Sequence, residues 1–218
     1  WGAAPGSQKF KEIIEFQKEI LGNFDNYQVP VISLDQSTSK EAVCVVFEKV
    51  NTGGKPLDAF ELVTAMYAAD GHGLREDWYG NKENKNKKQT KEGRYRRFVD
   101  TLRPADSEAG IIANVSNTDF LAAISLFYTR ERRREAEQAG KTGKELPAVT
   151  GNRQALLNLP LNAYKKYEAQ LEEGFVRAAK FLHTLHIYRI FDLPYQSQIV
   201  PLAAIIAEIG NIWEHDTI

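Results

Sequence analysis

The sequence has a single cysteine, Cys44, and a single methionine, Met66. A lone thiol excludes an internal disulfide and fits a reducing compartment, so a cytoplasmic location is expected. Cys44 lies in an apolar run, where a thiol behaves as a small, inert core side chain. A chain that opens on Trp1 and holds its only methionine at position 66 lacks an initiator. The expectation is therefore a piece of a longer protein. Long apolar runs are missing as well. The longest, residues 199–206, is far too short for a membrane helix, and no signal peptide stands at the start. No excess of one charge exists: the formal net charge is −1, so no bulk field draws the chain to nucleic acid or to a membrane. Any such attraction has to come from local patches. Catalytic groupings are absent too. No serine or cysteine has the setting of a nucleophile, the carboxylates are scattered, and nothing resembles a nuclease cluster or a His-Asn-His metal fold.

What is present is an ordinary globular balance, 43% hydrophobic and 26% charged. The apolar periodicity is mostly that of helices. Residues 8–21 repeat at helical spacing, with Gly22 as a C′ residue. Residues 39–50 form a helix whose apolar face is Val43, Val46, Phe47 and Val50. Residues 58–69 form another, with Asp58 as N-cap, Glu61 closing a capping box, and Leu57 and Leu62 as a hydrophobic staple. Short helical spacing recurs over 95–102. Residues 118–138 begin apolar and end in RERRREAEQ, a tail expected to project into solvent. The longest helix spans 161–189, with Tyr164, Leu171, Ala178 and Leu185 at heptad positions, and a last one spans 196–214. The expected fold is mainly α, a bundle-like helical region over residues 1–218. One short extended segment, 27–34 (YQVPVISL), reads as an edge strand because of Pro30. A strand needs partners for its backbone, so the segment is either an extended connector or a strand whose sheet is expected upstream of this chain.

Residues 80–93 (GNKENKNKKQTKEG) form a mobile basic loop, with no apolar residue between 81 and 93. With its flank it carries Lys82, Lys85, Lys87, Lys88, Lys91, Arg94, Arg96 and Arg97 against Glu83 and Glu92. Lys85, Lys87, Lys88, Arg94, Arg96 and Arg97 are the nucleic-acid contact candidates, through phosphates. The alternative is a solvated loop. His183 and His186 form an HxxH pair on the long helix. Two ligands do not make a zinc site, so no metal is assigned and they read as half-buried histidines.

Residues 46–63, VFEKVNTGGKPLDAFELV, place Lys55 after two glycines. A phosphate-binding loop needs a glycine five residues before the Gly-Lys pair and Ser or Thr after it. Here Lys49 and Pro56 occupy those places. The spacing is that of a helix–turn–helix joint, with Gly53 or Gly54 ending one helix and Asp58 capping the next.

The same stretch resembles the signature of the GmrSD-type DNA restriction proteins, in their N-terminal ParB/sulfiredoxin-like domain family. The match runs over Phe47, Val50, Asn51, Thr52, Gly53, Gly54, Lys55, Pro56, Leu57, Glu61 and Leu62 without a gap. VPVISLD upstream and DLPYQSQIVPLAAI downstream resemble the strand before the signature and the later helical part. The resemblance implies an N-terminal sheet bearing a DGQQR motif for nucleotide binding and hydrolysis, and often a C-terminal His-Asn-His nuclease domain. Neither motif occurs in this sequence. For the longer protein it implies an NTP and Mg²⁺ as cofactors, DNA as a partner, and a role in defence against phage. This chain would hold no cofactor and no catalytic residue of its own. By position, Phe47 and Asn51 (an FxxxN element) and the Gly53–Gly54 turn would support the upstream nucleotide site. The alternative is a non-enzymatic helical module that binds DNA or another protein.

Overall fold

The computed structural model describes residues 4–29, 57–80, 92–103 and 110–210, with single positions 2, 31, 33, 35, 38, 42, 43, 46 and 49. The chain divides into two compact units, Trp1–Thr38 and Ser39–Ile218.

In the first unit, α1 (Gln8–Phe16) is started by Ser7, whose hydroxyl accepts from the Phe10 amide. The helix does not stop at Gly22. It passes through a π-helical turn, Gln17–Leu21, and a further α turn, Gly22–Asp25. Gly22 has the ordinary helical φ of −60°, so it is not the C′ residue its type implied. Ile14, Phe16, Ile20, Leu21 and Phe24 are exposed on this unit. The described positions of the expected strand, 27–29, 31 and 33, have no regular secondary structure. Among all described residues the only bridge is an isolated antiparallel one, Gly80 to Glu92.

The second unit is helical, as the periodicity requires. Ala42, Val43, Val46 and Lys49 are helical, with Val43 and Val46 half-buried and Ala42 and Lys49 exposed. There follow α2 (Ala59–Ala69), α3 (Leu74–Tyr79), α4 (Arg94–Asp100), α5 (Asn117–Gln138), α6 (Arg153–Leu157), α7 (Leu161–Thr184) and α8 (Ile199–Ile209). Asp58 caps α2 in a full capping box with Glu61, as its spacing predicts. Ser116 and Asp119 do the same for α5. Gly71, at φ 75°, ends α2: its amide donates to Ala68 O and the His72 amide to Tyr67 O. Pro201 falls in the first turn of α8, where its missing N–H costs nothing.

The core gathers around α7. Trp78, Phe98, Phe120 and Phe175, from α3, α4, α5 and α7, are all buried. Their ring centroids lie 5.4–6.1 Å apart where they meet, within the range of favourable aromatic pairs. Tyr67 of α2 reaches across to donate to Leu159 O at 3.0 Å. On its other side α7 packs closely on α8, with Gly174 facing Ala203 and Ala207. No helix of the described residues is long and apolar enough to cross a membrane.

Two expectations change. The long helix ends at Thr184 rather than Arg189. His186 takes φ 60°, its amide donates to His183 O, and the Ile187 amide donates to Leu182 O. That is the Schellman pattern with histidine in the place glycine usually fills. Leu185 is therefore exposed, not a heptad core residue. The arginine-rich end of α5 is also not simply a solvated tail. Arg130 and Arg134 pair with Glu208 of α8, and Glu131 pairs with Lys166 and accepts from Tyr167 Oη of α7.

Candidate functional site

Phe47, Asn51, Gly53 and Gly54 lie outside the described residues, as do Lys85, Lys87 and Lys88. Val46 and Lys49 are helical, and Leu57 leads into the Asp58 cap. Leu57 is half-buried against the core and Leu62 is buried within it, so the start of α2 is anchored.

The three arginines after the basic segment have different fates. Arg94 is buried, with 5% of its surface exposed. Its guanidinium points inward and uses all three nitrogens. Nε donates to Glu172 Oε2 at 2.8 Å, Nη1 to Tyr164 Oη at 2.9 Å and Nη2 to Glu168 Oε2 at 3.0 Å. Its Cζ sits 4.4 Å from the centre of the Phe120 ring, in cation–π range. Arg97 closes the same cluster as a fork on Glu172, through Nε and Nη2, and its Nη1 donates to Glu92 O at 2.9 Å. Arg96 faces solvent and pairs with Asp100 at 2.7 Å.

Tyr164, Glu168 and Glu172 follow one another at four-residue spacing and so share one face of α7. The sequence carried that signal: two carboxylates one turn apart beside an apolar stripe ask for a cation from a neighbouring element. Burial opposes ionisation of Glu172, but Arg97 and Arg94 outweigh it and hold its carboxyl below the ordinary value. Burial likewise opposes the charge of Arg94, and Tyr164 and Glu172 more than compensate, so its pKa is raised. The cluster is a hydrogen-bonded ionic clamp between α4 and α7.

The clamp fixes the foot of the basic segment. Glu92 is bridged to Gly80 and held by Arg97. Gly93 is packed so closely that a Cβ there would lie 2.3 Å from both Gly80 N and Tyr79 C. Residues 80 and 92 thus form a tight neck at the junction of α3 and α4.

His183 and His186 do not form a ligand pair on one helix face, because His186 lies past the helix end. Both rings pack edgewise on Tyr188, at 5.1 and 6.3 Å. Among the described residues no group of three or more His, Cys, Asp or Glu could hold a metal ion. Between α5, α7 and α8 lies an open pocket of about 420 Å³, lined by Arg130, Glu131, Arg134, Tyr167, Gln170 and Glu208. Charges there are joined across helices as ion pairs, which makes the pocket a packing seam.

Comparison with known proteins bears on the first third of the chain. Residues 5–68 match the family model of the GmrSD restriction endonuclease N-terminal domain. No curated protein and no solved structure matches. The matched span takes in α1, the NTGGKPLD joint and nearly all of α2. Over residues 5–68, the chain is similar to the GmrSD restriction endonuclease N-terminal domain family.

Proposed function

We propose that this chain is the helical part of a nucleotide-dependent DNA restriction protein that acts in phage defence. In this reading it supports a DGQQR nucleotide site supplied by sequence outside these 218 residues. The observation that carries the reading is the family match over residues 5–68, which contains Phe47, Asn51, Gly53 and Gly54. Asn51 offers a carboxamide that both donates and accepts, suited to bracing a neighbouring loop or a nucleotide. Phe47, one helical turn earlier, would anchor it. Beyond the joint, the capped start of α2 gives a rigid base for that support.

The test is nucleotide hydrolysis by the longer protein. Asn51→Ala is expected to lower turnover by roughly 10-fold or more, as loss of one positioned polar group does, with helix content and melting temperature unchanged. Unaltered turnover in a folded Asn51→Ala protein would remove Asn51 from the site.

A further inference from the structure

The outer face of α8 is apolar where a surface helix is usually polar. In its sequence, IVPLAAIIAEI, Glu208 is the only charged residue. The inner face, with Ile199, Ala203 and Ile206, is buried in the core. Pro201, Ile205 and Ile209 follow one another at four-residue spacing and form a ridge on the other side. Ile205 is 55% and Ile209 43% exposed. A helix that is apolar all round is one that the assembled protein covers on both sides. Beside the ridge runs a groove of about 300 Å³, walled by Leu126 and Phe127 of α5, by Val149 and by the ridge residues themselves. Val149, in the loop before α6, is 42% exposed. The two charges at the edge of the groove, Arg130 and Glu208, are paired with each other, and the Arg130 guanidinium lies 5.9 Å from the centre of the Phe127 ring. Covering the groove therefore strands neither charge.

We propose that this face is where two copies of the chain meet, about a two-fold axis near Ile205. A symmetric contact requires one surface to offer both halves of the fit. Here ridge and groove lie side by side, so a half-turn seats each copy's ridge in the other's groove, with Pro201 opposite the partner's Ile209. Helices pack in this way when their i, i+4 ridges interlock. Nucleic acid does not suit the face, because phosphates need free cations and the groove offers none. Contact over the ridge, the groove walls and the Val149 loop covers roughly 500 Å² on each copy, and roughly 1,000 Å² in total is where specific interfaces begin. An interface at that lower limit gives a reversible dimer of micromolar affinity. The face lies outside residues 5–68 and owes nothing to the nucleotide site.

The experiment is sedimentation equilibrium of the whole chain over roughly 1–200 µM, a range that brackets micromolar affinity. Wild type is expected to pass from monomer to dimer across that range and no further, because a two-fold contact closes. Ile205→Asp sets two carboxylates against one another at the axis and should weaken dimerisation by about 10-fold or more. Ile205→Leu, close in volume and equally apolar, should hold the affinity within about 3-fold of wild type. Val149→Asp, on the far wall of the groove and outside α8, should weaken the dimer as well, and keeps the test valid if Ile205→Asp disturbs the helix. Phe191→Asp, at a 75% exposed aromatic elsewhere on the second unit, should leave dimerisation unchanged. A wild-type chain that stays monomeric at the highest concentration, species larger than a dimer, wild-type affinity in both Ile205→Asp and Val149→Asp, or loss in Phe191→Asp would each overturn the proposal.

Discussion

Arg94→Ala is expected to destabilise the second unit by about 3–5 kcal/mol, the usual effect of removing one partner from a buried ion cluster. The large value comes from what stays behind. Glu168 and Tyr164 lose a hydrogen-bond donor in a shielded site, and Glu172 keeps only Arg97. The cation over Phe120 also goes. Urea denaturation of variant and wild type measures the difference. Arg94→Lys should recover only part, because an ammonium cannot reproduce three planar bonds to three separate acceptors. A pH series identifies the cause. Glu172 is held below its ordinary pKa of 4.5 in the folded chain. Its contribution is therefore present above about pH 4.5 and lost as pH falls through the lower folded value. The stability gap between wild type and Glu172→Gln should be full at neutral pH and shrink on acidification below 4.5. A gap that stays constant into acid would mean that the carboxylate's charge is not what the clamp uses.

The second large effect is expected at Gly174, where α7 meets α8. A Cβ there would stand 2.7 Å from Ala203 O and 2.7 Å from Ala207 Cβ. Alanine gains up to about 1 kcal/mol in helix propensity over glycine. Overpacking against a backbone carbonyl typically costs about 1–3 kcal/mol and prevails here, since the carbonyl belongs to a helix that cannot yield locally. Gly174→Ala should thus lower stability by about 1–2 kcal/mol, and Gly174→Leu should separate α8 from α7. Hydrogen exchange of the α8 amides would follow the separation. Ala207→Gly should relieve part of the Gly174→Ala loss, with a coupling of about 0.5 kcal/mol or more in a double-mutant cycle. Full additivity would show that the two positions do not press on one another.

The sequence makes the local devices legible. Asp58, Glu61 and Gly71 act within a few residues of one another, so spacing alone reveals the cap and the stop of α2. The end of α7 is hidden because His186, and not the glycine that usually marks it, fills the C′ position. An apolar pattern running on through Leu185 and Ile187 then extends the helix on paper. The inward turn of Arg94 is hidden for another reason. Its partners lie 70 to 78 residues away on α7, and a run of lysines before it makes it look like one more solvated cation. Charge pairing between α5 and α8 is invisible in the same way: RERRRE suggests pairs along one helix, and the acid that Arg130 and Arg134 share is Glu208. Asn51 and the turn expected around it lie outside the described residues. The role proposed for Asn51 rests on the family match over residues 5–68 and not on any contact.

The central claim is that these 218 residues help to build a nucleotide site that they do not contain. Steady-state NTP hydrolysis tests it most directly, measured side by side for this chain and for a longer protein in which a DGQQR segment precedes it. The account predicts no turnover by the chain alone and clear turnover by the longer protein. Robust hydrolysis by the isolated chain, or none by either, would contradict it.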